Sequence, residues 1–170
     1  MSILNMFKKK KENIPEMLIE TNSKLMNKNS YFSNYNQYEN SPEFIKEFIK
    51  IITDKEEYEV NENSEFEDAI KYLINNNYLV SCNNDEIIDT LNSNFNENID
   101  KDLVLKKLEE YEISNNKYME AIKKNIIEMA VCEQLEKNGK GLIYIYTAGD
   151  YYCYGIETQE KIDEIRKSFK

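Results

Sequence analysis

The sequence predicts an α+β fold, a predominantly helical single domain with a small sheet that includes a C-terminal β-hairpin, and three observations carry that expectation. Apolar residues recur at 3/4 spacing in one segment after another as far as Glu136. After Gly141 the period changes abruptly to two β-branched and aromatic runs, Leu142 to Tyr146 and Tyr151 to Ile156, on either side of Thr147-Ala148-Gly149-Asp150. The 170 residues, 41% hydrophobic and 12% aromatic, are enough to close one core and too apolar for a disordered acidic tail. Residues 1–13 read as a basic N-terminal arm, because Lys8 to Lys11 give the first eleven residues a charge of +4, and 14–170 as one acidic domain.

The elements follow in order. A helix is expected from about Pro15 to Lys28, with Ile14, Met17, Leu18 and Leu25 on related faces and proline suited to the first turn. Asn27 to Ser41 is rich in Asn and Ser but carries Tyr31, Phe32, Tyr35 and Tyr38, so a loop and a short helix both remain open there. Ser41-Pro42-Glu43 opens a helix that turns Phe44, Ile45, Phe48, Ile49 and Ile52 inward. Ser64 and Glu67 have the spacing of a capping box at the head of a helix through Ala69, Ile70, Leu73 and Ile74. Tyr78 to Cys82 reads as a buried strand, after which Asn84 or Asp85 caps a helix bearing Ile87, Ile88 and Leu91. Leu103 to Tyr111 and Tyr118 to Glu136 are two further helices, the second stopped by Gly139. Thr158 caps a last helix with Ile162, Ile165 and Phe169 inward.

Composition removes several classes of chemistry. The chain has no histidine, the commonest general base and zinc ligand, and Arg166 is its one arginine, so bidentate guanidinium clamps on phosphate are nearly excluded. Cys82, Cys132 and Cys153 are odd in number and widely spaced, with no CxxC pair, and read as buried thiols. Gly139-Lys140-Gly141 lacks phosphate-loop spacing, and Asn94 to Asp100 lacks the glycine and terminal glutamate of a calcium loop. No catalytic residue, metal site or cofactor is expected. Nor is a signal peptide or membrane span, since the apolar run of Met1 to Phe7 is short and followed by its lysines; a cytoplasmic protein is the expectation.

What remains is charge. The net charge is −10, and Asp54 to Asp68 alone holds eight acids against Lys55. One reading is a solvated loop and helix start. The other is a partner-binding surface in which Asp54, Glu56, Glu57, Glu59, Glu62 and Glu65 steer a basic protein while Tyr58 and Phe66, or Tyr31, Phe32, Tyr35 and Tyr38, supply buried contact. A second acidic stretch runs from Asp85 to Glu112. Phosphate is repelled by such a field, so direct nucleic-acid binding is not expected.

The run Gly141-Leu142-Ile143-Tyr144-Ile145-Tyr146-Thr147-Ala148-Gly149-Asp150-Tyr151-Tyr152-Cys153-Tyr154-Gly155-Ile156, followed by a short helix, resembles the C-terminal segment of a family of small uncharacterised bacterial proteins similar in style to the immunity proteins of polymorphic toxin systems. The resemblance covers roughly the last 30 residues and carries over no catalytic residue. It implies a non-enzymatic protein that neutralises a protein partner. Two alternatives stand beside it: a phage-encoded inhibitor of a nucleic-acid-guided defence complex of the anti-CRISPR type, whose acidic surface occupies a basic channel, and a small-ligand sensor or enzyme that uses the Tyr-rich hairpin as a pocket wall.

Overall fold

In a computed structural model, which describes residues 15–34, 42–55, 65–111, 113, 117–146 and 152–168, the chain begins with helix α1 (Glu16–Met26). Strand β1 (Tyr31–Asn34) follows. Helix α2 (Pro42–Thr53) comes next, starting on proline, whose missing N–H costs nothing in a first turn, and burying Ile45, Phe48, Ile49 and Ile52 at 3/4 spacing. Helix α3 (Phe66–Asn75) buries Phe66, Ala69, Ile70 and Leu73. It stops in the asparagine run, where Asn77 takes φ 61° and the Tyr78 N–H donates back to the Leu73 carbonyl at 2.9 Å.

Strand β2 (Val80–Cys82) and a 3-10 turn (Asn84–Glu86) lead into helix α4 (Ile87–Phe95). The Asn-rich segment after α4 is folded by Asn92, which accepts from the Ile99 N–H at 2.8 Å and donates to the Ile99 carbonyl at 3.0 Å. Asp100 then accepts from the N–H groups of Asp102 and Leu103 and caps helix α5 (Lys101–Glu109). Helix α6 (Met119–Glu136) ends before Gly139, which has φ 67°. Strands β3 (Lys140–Tyr146) and β4 (Tyr152–Thr158) and helix α7 (Gln159–Ser168) complete the chain, with the Thr158 hydroxyl accepting from the Lys161 N–H.

The strands form one mixed sheet in the order β1-β3-β4-β2. β3 pairs antiparallel with β4 (Tyr144 opposite Tyr154) and parallel with β1 (Tyr31 opposite Ile143), and β2 closes the other edge antiparallel to β4 (Val80 opposite Tyr154). Alternation along β3 explains the layers. Ile143 and Ile145 join Tyr31 and Cys153 against α2, α3 and α7, whereas Leu142 and Tyr144 join Tyr154 and Ile156 against α4, α5 and α6. Covering on both faces is why β3 and β4 read as near-continuous apolar runs. The result is a single α+β domain with helices on both sides of the sheet, and α1 packed on α6.

Three expectations are corrected. The segment after Lys28 is neither loop nor helix at 31–34 but an edge strand, because the aromatic pair Tyr31-Phe32 completes a parallel ladder with β3. The N-terminal box of α3 is shifted by one residue: Glu65 occupies the cap position and its N–H donates to Asp68 Oδ2 at 3.4 Å. The entry to α4 is a 3-10 turn without a side-chain cap from Asn84 or Asp85. The basic arm of 1–13, Ile14, Ser64, the turn at 147–150 and Phe169 lie outside the described residues.

Candidate functional site

The residues first singled out for partner contact separate into three groups. Phe66 is 0% exposed, with its ring centroid 5.2 Å from Phe48 and 5.7 Å from Phe44, so it is a core residue and not a surface anchor. Tyr31, 5% exposed, is likewise buried, by its place in the β1–β3 ladder, and Phe32 is half-buried against the Tyr144 ring at 6.0 Å. Asp54 and Glu65 are exposed. Asp54 takes φ 57° at the end of α2 and its Oδ2 accepts from Lys161 Nζ at 2.7 Å, while the same ammonium donates to the Ile52 carbonyl at 3.1 Å. That acid therefore helps tie α2 to α7. Glu56, Glu57, Tyr58, Glu59, Glu62, Tyr35 and Tyr38 lie outside the described residues.

The second acidic stretch is well placed. Asp85, Glu86, Asp89, Asp100, Asp102, Glu109 and Glu110 are all exposed on the 3-10 turn, α4 and α5, which share one side of the sheet. Lys101 bridges back to Asp89 at 3.0 Å and fixes the start of α5 beside α4. Helix α5 also leaves Leu103 and Leu105 in solvent, 47% and 49% exposed on either side of the buried Val104. The two leucines share the helix with the exposed Lys101, Asp102, Lys106 and Glu109.

A pocket of about 340 Å³ opens on the same side of the sheet, lined by α1, the 3-10 turn, α6 and the hairpin strands. One lining residue, Lys124, belongs to a buried polar cluster. Lys124 and Glu128, one turn apart on α6, form an ion pair at 3.0 Å, and the Tyr154 hydroxyl donates to Glu128 Oε1 at 2.8 Å. Glu128 is 0% exposed, and the Lys124 side chain 12%. The ammonium also lies over two aromatic faces, 4.2 Å from the Tyr144 centroid and 4.8 Å from that of Tyr152. Burial pushes the Glu128 carboxyl above its ordinary value, against the pull of Lys124 and Tyr154. Burial and the neighbouring Glu128 carboxylate both raise the Tyr154 phenol. Asn125, buried between α1 and α6, donates to Thr21 Oγ1 at 3.2 Å and to Asn22 Oδ1 at 2.7 Å.

No inspection of acidic runs finds this cluster. The available signal was a Lys and a Glu at i,i+4 in a helix that also carries Ile122, Ile126 and Met129 at 3/4 spacing, since charges on the inward face of a helix need partners. The three cysteines are buried, as their apolar surroundings suggest, and burial raises Cys82 to about 11 and Cys132 and Cys153 to about 12, far from thiolate chemistry at neutral pH. Among the described residues there is no group of three metal-ligating side chains, and no helix is long and apolar enough to cross a membrane. No family model, curated protein or solved structure matches the chain.

Proposed function

We propose that the chain is a non-enzymatic binding protein that neutralises a basic protein partner by covering it, in the manner of a toxin-immunity protein. The observation that carries this reading is α5, where Leu103 and Leu105 stand about half exposed in a helix that carries Asp102 and Glu109 beside Lys101, Lys106 and Lys107 and is bounded by the exposed acids Asp100 and Glu110. Apolar side chains at the centre of a contact supply binding energy, and acids around them speed encounter with a basic surface and reject acidic ones. The −7 of residues 54–68 adds to the same field at longer range.

The test is a tagged chain used to isolate its partner from the source cell, followed by measurements on the purified pair. Association should slow as salt rises, and Leu103→Asp with Leu105→Asp should abolish capture while the melting temperature holds. Reversal of Glu56, Glu57 and Glu59 to lysine should slow association. Inhibition should saturate near equimolar; complete inactivation at a small fraction of the target's concentration would require turnover and would overturn the reading. If nucleic acid competes for the captured partner, the target is a nucleic-acid-binding effector and not another class of toxin.

A second reading, a small-ligand sensor, is favoured by the pocket whose wall is built by Tyr144 and Tyr152 of the hairpin strands.

A further inference from the structure

We infer that residues 1–11 and one face of α1 together form a contact for an anionic lipid bilayer, which holds the chain at a membrane surface without spanning it. The inference is independent of what the acidic body binds. The arm has two halves of different chemistry: Ile3, Leu4, Met6 and Phe7 are apolar, and Lys8 to Lys11 follow at once. Side chains of the first kind enter the boundary between headgroups and acyl chains, while lysines keep their ammonium groups in the headgroup layer, where anionic lipid attracts each one. Neither signal suffices alone. A short apolar anchor binds marginally and lysines are screened by salt, whereas the two together give stable attachment. The apolar half also separates a bilayer from nucleic acid, which offers phosphate to the lysines but no apolar phase for the residues before them.

Helix α1 continues the contact. Ile19 and Met26 are each 59% exposed, and with the exposed Asn22 and Ser23 between them they have the i, i+3, i+4, i+7 spacing of one helix face, a face that carries no charge. Thr21 and Leu25 are the residues that α1 buries instead. The acids of the helix, Glu16 and Glu20, lie beside this face, and Glu20 is paired with Lys24 at 2.5 Å. Lys11 and Glu16 are close enough in the chain that their Cα atoms stand at most about 18 Å apart, so the arm and α1 reach the same surface. Charge then sets the orientation. The first eleven residues carry +4 and the rest of the chain −14, so the lipids that draw the arm repel the body and leave its acidic side turned to solvent.

The experiment is flotation of the full chain with vesicles of phosphatidylcholine alone or with about 30% phosphatidylserine, at about 0.05 M and about 0.5 M salt. The chain should float with the anionic vesicles and not with the neutral ones, and the higher salt should release it. Changing Lys8, Lys9, Lys10 and Lys11 together to glutamine should weaken binding at least about a hundredfold at an unchanged melting temperature. The chain contains no tryptophan, so Phe7→Trp and Met26→Trp each report one half of the contact, and both indole emissions should shift to the blue on anionic vesicles. No flotation, equal flotation with neutral vesicles, or binding that survives the lysine change overturns the inference. A shift from Phe7→Trp without one from Met26→Trp overturns the part given to α1. Duplex DNA bound by the parent and lost in the four-lysine variant, with no flotation, assigns the arm to nucleic acid and overturns the lipid contact.

Discussion

At the scale of single residues, Glu128 concentrates the most consequence. Replacing it by alanine leaves Lys124 and the Tyr154 hydroxyl buried without their acceptor, which should destabilise the fold by about 3–5 kcal/mol, read from urea unfolding. Glu128→Gln keeps an acceptor for Tyr154 and should cost less. The pair also sets a pH dependence. Burial holds the Glu128 and Glu157 carboxyls above the ordinary 4.5, so between 4.5 and those raised values the folded chain binds more protons than the unfolded one. Stability from these groups is then greatest at the acidic end of that window and is lost as pH rises through it. Glu133 has the opposite sense: burial would raise it, but Lys28 and Lys107 together outweigh burial and hold it low, so its contribution is lost only below 4.5. The urea midpoint should therefore increase from about pH 7 to about pH 5, and Glu128→Gln should flatten that rise. Gly141 is constrained in another way, because a Cβ there would meet the Asn29 carbonyl oxygen at 2.5 Å. Gly141→Ala should lower stability by about 1–3 kcal/mol, and an unchanged melting temperature would contradict that contact.

Among elements, those whose evidence is local were legible. Helices α2, α3 and α6 follow from 3/4 spacing and from stops such as Asn77 and Gly139, and β3 and β4 from two β-branched and aromatic runs on either side of a short turn sequence. β1 was not legible, because four residues become a strand only by pairing with Ile143 to Tyr146, more than a hundred positions away. The candidate site was legible only in part for the same reason. Acidic runs are visible in one dimension, whereas Lys124, Glu128 and Tyr154 are brought together by the packing of α6 on the sheet. Phe66 and Tyr31 were read as surface anchors because an aromatic beside acids or asparagines carries no mark of which way it faces until the helix phase and the strand register are known. The start of α5 allows a direct test of local chemistry. Asp100→Ala removes the acceptor for the N–H groups of Asp102 and Leu103 and should cost about 1 kcal/mol, seen as a lower urea midpoint at unchanged slope.

For the whole molecule, the order of the sheet matters more than its size. Both central strands, β3 and β4, come from the C-terminal part of the chain, while the edges, β1 and β2, and most of the helices precede them. The fragment 1–139 holds both edges and no centre. It should show no cooperative thermal transition, whereas a sigmoidal melt by circular dichroism would mean that the helices make a core without the sheet. During synthesis this topology delays closure. Each helix leaves the ribosome with an apolar stripe and no sheet to receive it, and the stripes stay open to chaperones until β3 and β4 emerge together. Early termination then yields a chain fit for proteolysis instead of a weakened protein, so the cell's supply of working copies is read almost wholly from how many chains are translated past the hairpin.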